Sequence, residues 1–422
     1  MKRRDAIIST LGALIFGPTL TGVSASSLAN ASRSVPKSPP VWAGFGLNGS
    51  AGSSRFELTR RYVEKYQGGM KLSDPSAFRF LRGQLHELLK KEALNLVQLD
   101  KNKDALQLGE DFLLGFVHDY EIAVPIKNTN KIEIADDILF TFLAGAGLVV
   151  VYQRSVGWRV VCSFPFVTRV ELPIPDVNNF KESSIDQLGK CYSEYAQSFV
   201  RSLKRFGGWK DGYSSNYFAR VVKSTVGKKA QPKLTEFKID HLLTPELLGH
   251  ETTALICSGL EIPIIPFLET DALSKRYATK FSDSISTQDV YELPEIDLQF
   301  EIALTDIEKK VVPSRQRGYT SITRSVTLSF RVFEAAETSL DRKKIFQTFI
   351  FYELPEDRIK DREDDTPNRD FLFFERCIFQ ALDRMFVGMR TKDSLVLGSL
   401  LSNLNEIEPQ INTLLMLCKA AR

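Results

Sequence analysis

The stretch ILFTFLAGAGLVVVYQRSVGWRVVCSFPFVTRVEL, residues 138–172, decides the fold of this chain. It holds two runs rich in Val, Phe and Leu, residues 138–153 and 158–172, on either side of Ser155-Val156-Gly157. Aromatic and β-branched residues favour strands, and a short glycine-containing turn between two such runs favours a hairpin. A third run of the same kind, residues 112–126, precedes them. The sequence therefore predicts three successive strands.

Helices are predicted on either side of these strands. Apolar residues at three- and four-residue spacing predict helices near 75–97 and 183–206. Further strands at 296–306, 322–334 and 344–354 precede an apolar helix near 371–388. Strands that arrive in succession, with helices at the segment ends, favour an α+β fold over a doubly wound parallel sheet. We expect antiparallel sheets with helices packed on one face.

The order of elements hints at duplication. Glu171-Leu172-Pro173 and Glu353-Leu354-Pro355 end the last strand of each set, 182 residues apart. Cys191 and Cys377, on the helices that follow, are 186 residues apart. Two similar tandem domains would produce these offsets, and chance recurrence of a common layout is the alternative.

The composition of successive segments divides the chain into six predicted parts. These are an export signal (1–25), a disordered lead-in (26–40), an α+β domain (41–206), a basic-aromatic linker (207–240), a second α+β domain (241–390) and C-terminal helices (391–422). Thr244-Pro245-Glu246 predicts the start of a helix, since it offers a cap, a first-turn proline and an acid. Pro409 is placed in the first turn of the last helix.

Residues 1–25 have the layout of a secretory signal peptide. A positive start that includes Arg3 and Arg4 precedes the short apolar core Ala6–Phe16, and small residues end at Ala25. The stretch KRRDAII resembles twin-arginine export signals, although Lys2 and Ala6 depart from that pattern. The resemblance implies a bacterial envelope protein, located in the periplasm and cleaved near Ala25. The general secretory route and an uncleaved tethering helix are the alternatives.

A second resemblance concerns the later part of the chain. The strand IPIIPF, residues 262–267, is followed by a helix and a strand meander. This layout resembles TolB amino-terminal-like and curli-channel-like envelope domains over residues 268–390. The resemblance implies a role in assembly or interaction.

Charge is nearly balanced overall but not locally. The whole chain carries a net charge of +3, so no global field attracts nucleic acid, and no nucleic-acid partner is expected. Residues 201–233 are strongly basic, with interleaved aromatic rings. We predict that an envelope protein, or an anionic lipid or glycan surface, binds to Lys210, Arg220, Lys223, Lys228, Lys229, Trp209 and Tyr213. The alternative is a solvated linker.

Catalytic and cofactor motifs are weak. Gly44–Gly49 matches GxGxxG, but it lacks the long preceding strand that a dinucleotide site requires. The five cysteines show no metal-ligand spacing, and we expect them to be buried. No cofactor or metal is predicted. The sequence favours an exported envelope binding or assembly protein without catalytic activity, and the alternative is an exported hydrolase that uses His118, His241 and His250 with a carboxylate.

Overall fold

In the computed structural model of this chain, the three apolar runs form an antiparallel meander. Its strands are β2 (Phe112–Ile126), β3 (Asp137–Gln153) and β4 (Gly157–Ile174). Strand β1 (Val41–Leu47) adds to the β2 edge in parallel. Short strands β7 (Arg276–Ala278) and β8 (Val290–Glu292) extend the other edge, which gives the order β1-β2-β3-β4-β8-β7.

The structure describes most of the chain after residue 38. The described residues are 39–48, 56–66, 68, 79–99, 111–127, 137–153, 157–174, 180–206, 218–268, 276–278, 281, 290–313, 320–335, 342–354, 357–359 and 366–421. Arg3, Arg4 and Ala25 of the predicted export signal lie outside them, as do Trp209, Lys210 and Tyr213. The described residues belong to one compact unit, Val35–Arg422.

Three helices accompany the first sheet: α1 (Glu57–Tyr66), α2 (Arg79–Glu92) and α3 (Phe180–Arg205). The stripe predicted for the helix near 183–206 is buried along α3 at Leu188, Tyr192, Tyr195, Phe199 and Leu203. The ring of Phe199 stacks on Phe116 of β2, with 4.7 Å between centroids. Burial of this aromatic stripe fixes α3 against the sheet.

The second half forms another mixed sheet with its own helices. Its elements are β5 (Ala219–Val226), α4 (Ala230–Glu236), α5 (Pro245–Leu260), β6 (Ile264–Ile265), β9 (Leu298–Pro313), β10 (Thr320–Glu334), β11 (Lys343–Glu353), β12 (Asp357–Ile359), α6 (Pro367–Thr391), α7 (Ser394–Leu400) and α8 (Leu404–Ala421). The sheet order is β11-β10-β9-β5-β6, with β12 paired to β10. Two mixed sheets with helices confirm the predicted α+β fold.

Helix α5 begins where the sequence predicts. The Thr244 side chain accepts a hydrogen bond from the Leu247 backbone N–H at 3.2 Å, and Pro245 occupies the first turn. Thr366 caps α6 in the same way. Helix α8, in contrast, begins at Leu404, so Pro409 lies inside the helix rather than in its first turn.

The predicted linker at 207–240 differs from the structure in its later part, because residues 219–236 contain β5 and α4. Strand β5 pairs in parallel with both β9 and β6, inside the second sheet. Its lysine and serine give it no apolar run, so the local pattern does not reveal it.

The two halves share an order of elements. In each, a strand followed by two helices pairs in parallel with the first strand of an antiparallel meander, and a long helix follows the meander. Cys191 on α3 and Cys377 on α6 are both buried. The tandem duplication stays a prediction, which this shared order supports.

Candidate functional site

A cleft of about 360 Å³ lies where the two halves meet. Its walls come from β4 and α3 of the first half and from α5 and α6 of the second. Clefts of this size between packed elements are common places for small-molecule binding. The polar groups on its walls are guanidinium and hydroxyl groups together with one carboxyl: Arg169, Arg201, Arg205, Ser198, Ser202, Ser258 and Asp383.

Helix α3 presents most of these polar groups from its last two turns. Ser198, Arg201, Ser202 and Arg205 follow the three- and four-residue spacing that places side chains on one helical face. Arg201 donates to Ser198 Oγ at 2.9 Å, and Arg205 donates to the backbone carbonyl of Ser258 at 3.2 Å. Cations at a helix C-terminus also interact favourably with its dipole.

The lining of the cleft carries an excess of positive charge. Among the described residues of the lining, three arginines accompany one carboxyl group, that of Asp383 on α6. Burial raises the pKa of Asp383, whereas the guanidinium groups of Arg169, Arg205 and Arg384 oppose this rise. Guanidinium and hydroxyl donors are suited to an anion, because guanidinium geometry matches carboxylate, phosphate and sulfate oxygens.

Apolar side chains complete the walls. Phe166 on β4, Phe206 after α3 and Phe379 on α6 line the same cleft. Their rings provide an apolar surface beside the arginines. The arrangement can therefore hold a molecule that combines an anionic group with an apolar portion.

Arg169 also belongs to a buried ion-pair cluster, the Arg169–Glu251–Glu375 triad. Its Nε donates to Glu375 Oε1 at 2.5 Å, its Nη2 donates to Glu251, and its guanidinium lies 3.8 Å from the ring centroid of Phe379. Both carboxylates have 0% exposure, whereas the Arg169 side chain is 18% exposed. The triad joins β4 to α5 and α6 across the two halves.

The two carboxylates of the triad are not fully satisfied. Within the described part of the chain, Glu251 Oε2 and Glu375 Oε2 have no hydrogen-bond partner. Burial raises the pKa of Glu251 to about 8; Arg169 opposes the rise, and the charge of Glu375 adds to it. One arginine therefore pairs with two buried acids, and burial favours the neutral form of Glu251.

The three histidines of the hydrolase alternative contact three different carboxylates. His118 Nε2 lies 3.2 Å from Glu121, and its Nδ1 lies 2.9 Å from the Tyr195 hydroxyl. His250 lies 4.0 Å from Glu246. His241 is 70% exposed and lies 3.8 Å from Asp240. These contacts do not converge on one carboxylate as the hydrolase interpretation requires.

The Glu121 carboxylate beside His118 supports a helix terminus. It accepts hydrogen bonds from the backbone N–H groups of Leu58 and Thr59 at 2.8 and 3.0 Å, and from the Thr59 hydroxyl at 2.5 Å. A carboxylate at the first turn satisfies backbone donors that a helix leaves unpaired. Because Glu121 lies on β2 and its donors lie on α1, these contacts hold α1 against β2.

The described basic residues of the predicted anion-binding segment lie in different environments. Arg220 on β5 is buried, and its burial lowers its pKa to about 10. Lys223, Lys228 and Lys229 are exposed. Arg201 and Arg205, at the start of the same basic segment, line the cleft instead.

Residues from distant parts of the sequence complete the cleft and the triad. These residues are not among the site residues predicted from the sequence. Arg169, Glu251 and Glu375 are charged residues near apolar stretches, such as FLFF before Glu375. A charged residue beside an apolar run is a usable signal, because burial of a charge requires a partner. The sequence alone does not pair them.

No described helix is long and apolar enough to cross a membrane. Among the described residues there is no cluster of three histidine, cysteine or acidic side chains that could hold a metal ion. No protein-family model matches the chain, and no curated protein matches it significantly.

Proposed function

We propose that this chain is a non-catalytic binding protein whose cleft holds a small amphipathic anion. The observation that carries the proposal is the lining of the cleft, where Arg169, Arg201 and Arg205 share one cavity with three phenylalanine rings. Arginine donors bind the anionic group, and the rings pack against the apolar portion of the ligand. The head of an anionic lipid or a free organic anion has this chemistry.

Export supports the same function. The basic start of residues 1–25, its short apolar core and the small residues before Ala25 favour delivery to the periplasm of a bacterial cell. We propose that the protein works there as a binding or assembly component of the envelope. Cell fractionation tests this location: a shortened protein in the periplasmic fraction supports it, and a full-length protein in the cytosol contradicts it.

Octyl sulfate, used below its micelle concentration, is a suitable probe for the cleft. It joins an anionic group of fixed charge to an apolar chain. We expect calorimetric binding of octyl sulfate that weakens with rising salt and is stronger than the binding of inorganic sulfate. The double substitution Arg201→Gln and Arg205→Gln should weaken octyl sulfate binding by about a hundredfold or more, because two charge-assisted contacts are lost.

A matched control removes the same charge elsewhere. Lys228→Gln with Lys229→Gln neutralises two exposed lysines of the basic segment that do not line the cleft. We expect this variant to bind octyl sulfate like the unmodified protein. If the lysine variant loses binding and the arginine variant keeps it, the anion binds to the exposed basic surface and the cleft proposal is wrong.

A further inference from the structure

Arg169 has two roles in the structure. Its guanidinium lines the cleft, and it is also the cation between the buried carboxylates of Glu251 and Glu375. A guanidinium has five N–H donors, and the triad uses two of them. An anion in the cleft therefore lies beside a cation whose charge is already shared with two buried acids.

The charge of the triad depends on one proton. With both carboxylates ionised, the triad carries a net charge of −1, and with one of them protonated it is neutral. Two fully buried acids on one arginine disfavour the doubly ionised form, because desolvation and mutual repulsion outweigh one shared cation. Among the described residues, Glu251 Oε2 and Glu375 Oε2 have no hydrogen-bond partner, as expected when two carboxylates share one cation.

We propose that anion binding in the cleft is coupled to uptake of a proton by the Arg169–Glu251–Glu375 triad, so that affinity falls as the pH rises. The inference rests on the proposed function of the cleft. A neutral triad does not oppose the positive charge of Arg201 and Arg205, whereas a triad of charge −1 repels the incoming anion. The raised pKa of Glu251, about 8, places this change in the mildly alkaline range.

Other titratable groups on the elements that form the triad and the cleft must be separated from it. These groups include Glu171 on β4, Arg201 and Arg205 on α3, Glu246 and His250 on α5, and Arg376, Asp383 and Arg384 on α6. Glu171 pairs with Arg376, and His250 lies near Glu246. Asp383 lines the cleft itself, so its own protonation would also favour anion binding.

The decisive measurement is calorimetric binding of octyl sulfate at pH 6 and at pH 9. The charge of the probe is the same at both values, so a change in affinity belongs to the protein. We expect the affinity to be about tenfold or more weaker at pH 9, the effect of one added charge within about 10 Å at an effective dielectric of about 20. Near pH 8, titrations in buffers of different ionisation enthalpy should show net proton uptake on binding.

Two variants assign the effect to the triad. Glu251→Gln and Glu375→Gln each leave one acid on Arg169, so either variant should bind with similar affinity at both pH values and take up no proton near pH 8. Asp383→Asn should bind more tightly at both values and keep the pH dependence. His250→Gln should also keep it.

The outcomes separate this inference from the proposed function. Equal affinity at pH 6 and pH 9, with the Arg201 and Arg205 requirement intact, overturns the coupling and leaves the binding function standing. A pH dependence that persists in both glutamine variants of the triad also overturns the coupling. Absence of octyl sulfate binding at both pH values overturns both proposals.

Discussion

Two buried charge clusters in this protein have opposite compositions. In the Lys309–Arg324–Asp370 cluster, two cations share one carboxylate, with Lys309 Nζ and Arg324 Nη2 at 2.7 and 2.6 Å from Asp370. In the Arg169–Glu251–Glu375 triad, one cation serves two carboxylates. The first cluster joins β9, β10 and α6 within the second half, and the triad joins the two halves beside the cleft.

The difference bears on whether the net charge of a cluster can change. In the Lys309–Arg324–Asp370 cluster, the described cations outnumber the carboxylates. An excess of buried carboxylate instead favours a bound proton. We expect the Lys309–Arg324–Asp370 cluster to contribute to stability, whereas the proposed coupling requires the triad to change its charge with pH and with a ligand.

The largest expected effect comes from Asp370→Asn. This change removes the Asp370 carboxylate from beside the guanidinium of Arg324, whose side chain is 1% exposed. Removing one partner of a buried ion pair typically costs about 3–5 kcal/mol of unfolding free energy. Urea unfolding should show this loss to a similar extent at pH 6 and pH 9. A loss below about 1 kcal/mol would mean that the cluster contributes little to stability.

An effect that is smaller per pH unit, and of a different character, is expected from Glu251→Gln. The carboxyl of Glu251 has an ordinary pKa of 4.5, which the fold raises to about 8. Between these values the folded protein holds a proton that the unfolded chain has released, so unfolding free energy falls as pH rises. One such proton accounts for at most about 1.4 kcal/mol per pH unit.

Glu251→Gln should remove this dependence. Urea unfolding at several pH values between 5 and 8 should show a decline in the unmodified protein and a flatter profile in the variant. Asp370→Asn is the matched control, because it changes a buried carboxylate of the other cluster and should keep the decline. Identical pH profiles for the unmodified protein and Glu251→Gln would show that the triad does not bind the proton.

The sequence predicted the strands of both meanders closely because each strand carries its own local pattern. Predicted residues 112–126 coincide with β2, and three residues, Thr244-Pro245-Glu246, suffice to predict the cap of α5. Strand β5 was missed because its parallel partners β9 and β6 lie far along the chain. Strands that pair in parallel are not joined by a short turn, so the nearby sequence contains no turn pattern that indicates the pairing.

The sequence does not indicate the cleft, for a similar reason. The predicted anion-binding residues lie at 209–229, whereas Arg201 and Arg205, at the start of the same basic segment, line the cleft. Their partners in the cleft come from α5 and α6, some 50 to 180 residues later. Only tertiary packing shows that Asp383 and Ser258 face the same cavity.

The smallest expected effect tests whether the contribution of an ion pair to unfolding free energy depends on its burial as well as on its charge. Lys233 Nζ lies 2.7 Å from Asp306, a distance equal to that between Lys309 and Asp370. The side chains of Lys233 and Asp306, however, are 37% and 36% exposed. Water solvates either group when its partner is removed, so Lys233→Gln should cost about 1 kcal/mol or less in urea unfolding. A cost as large as that of Asp370→Asn would contradict the role assigned to burial, because the two ion pairs differ little in length.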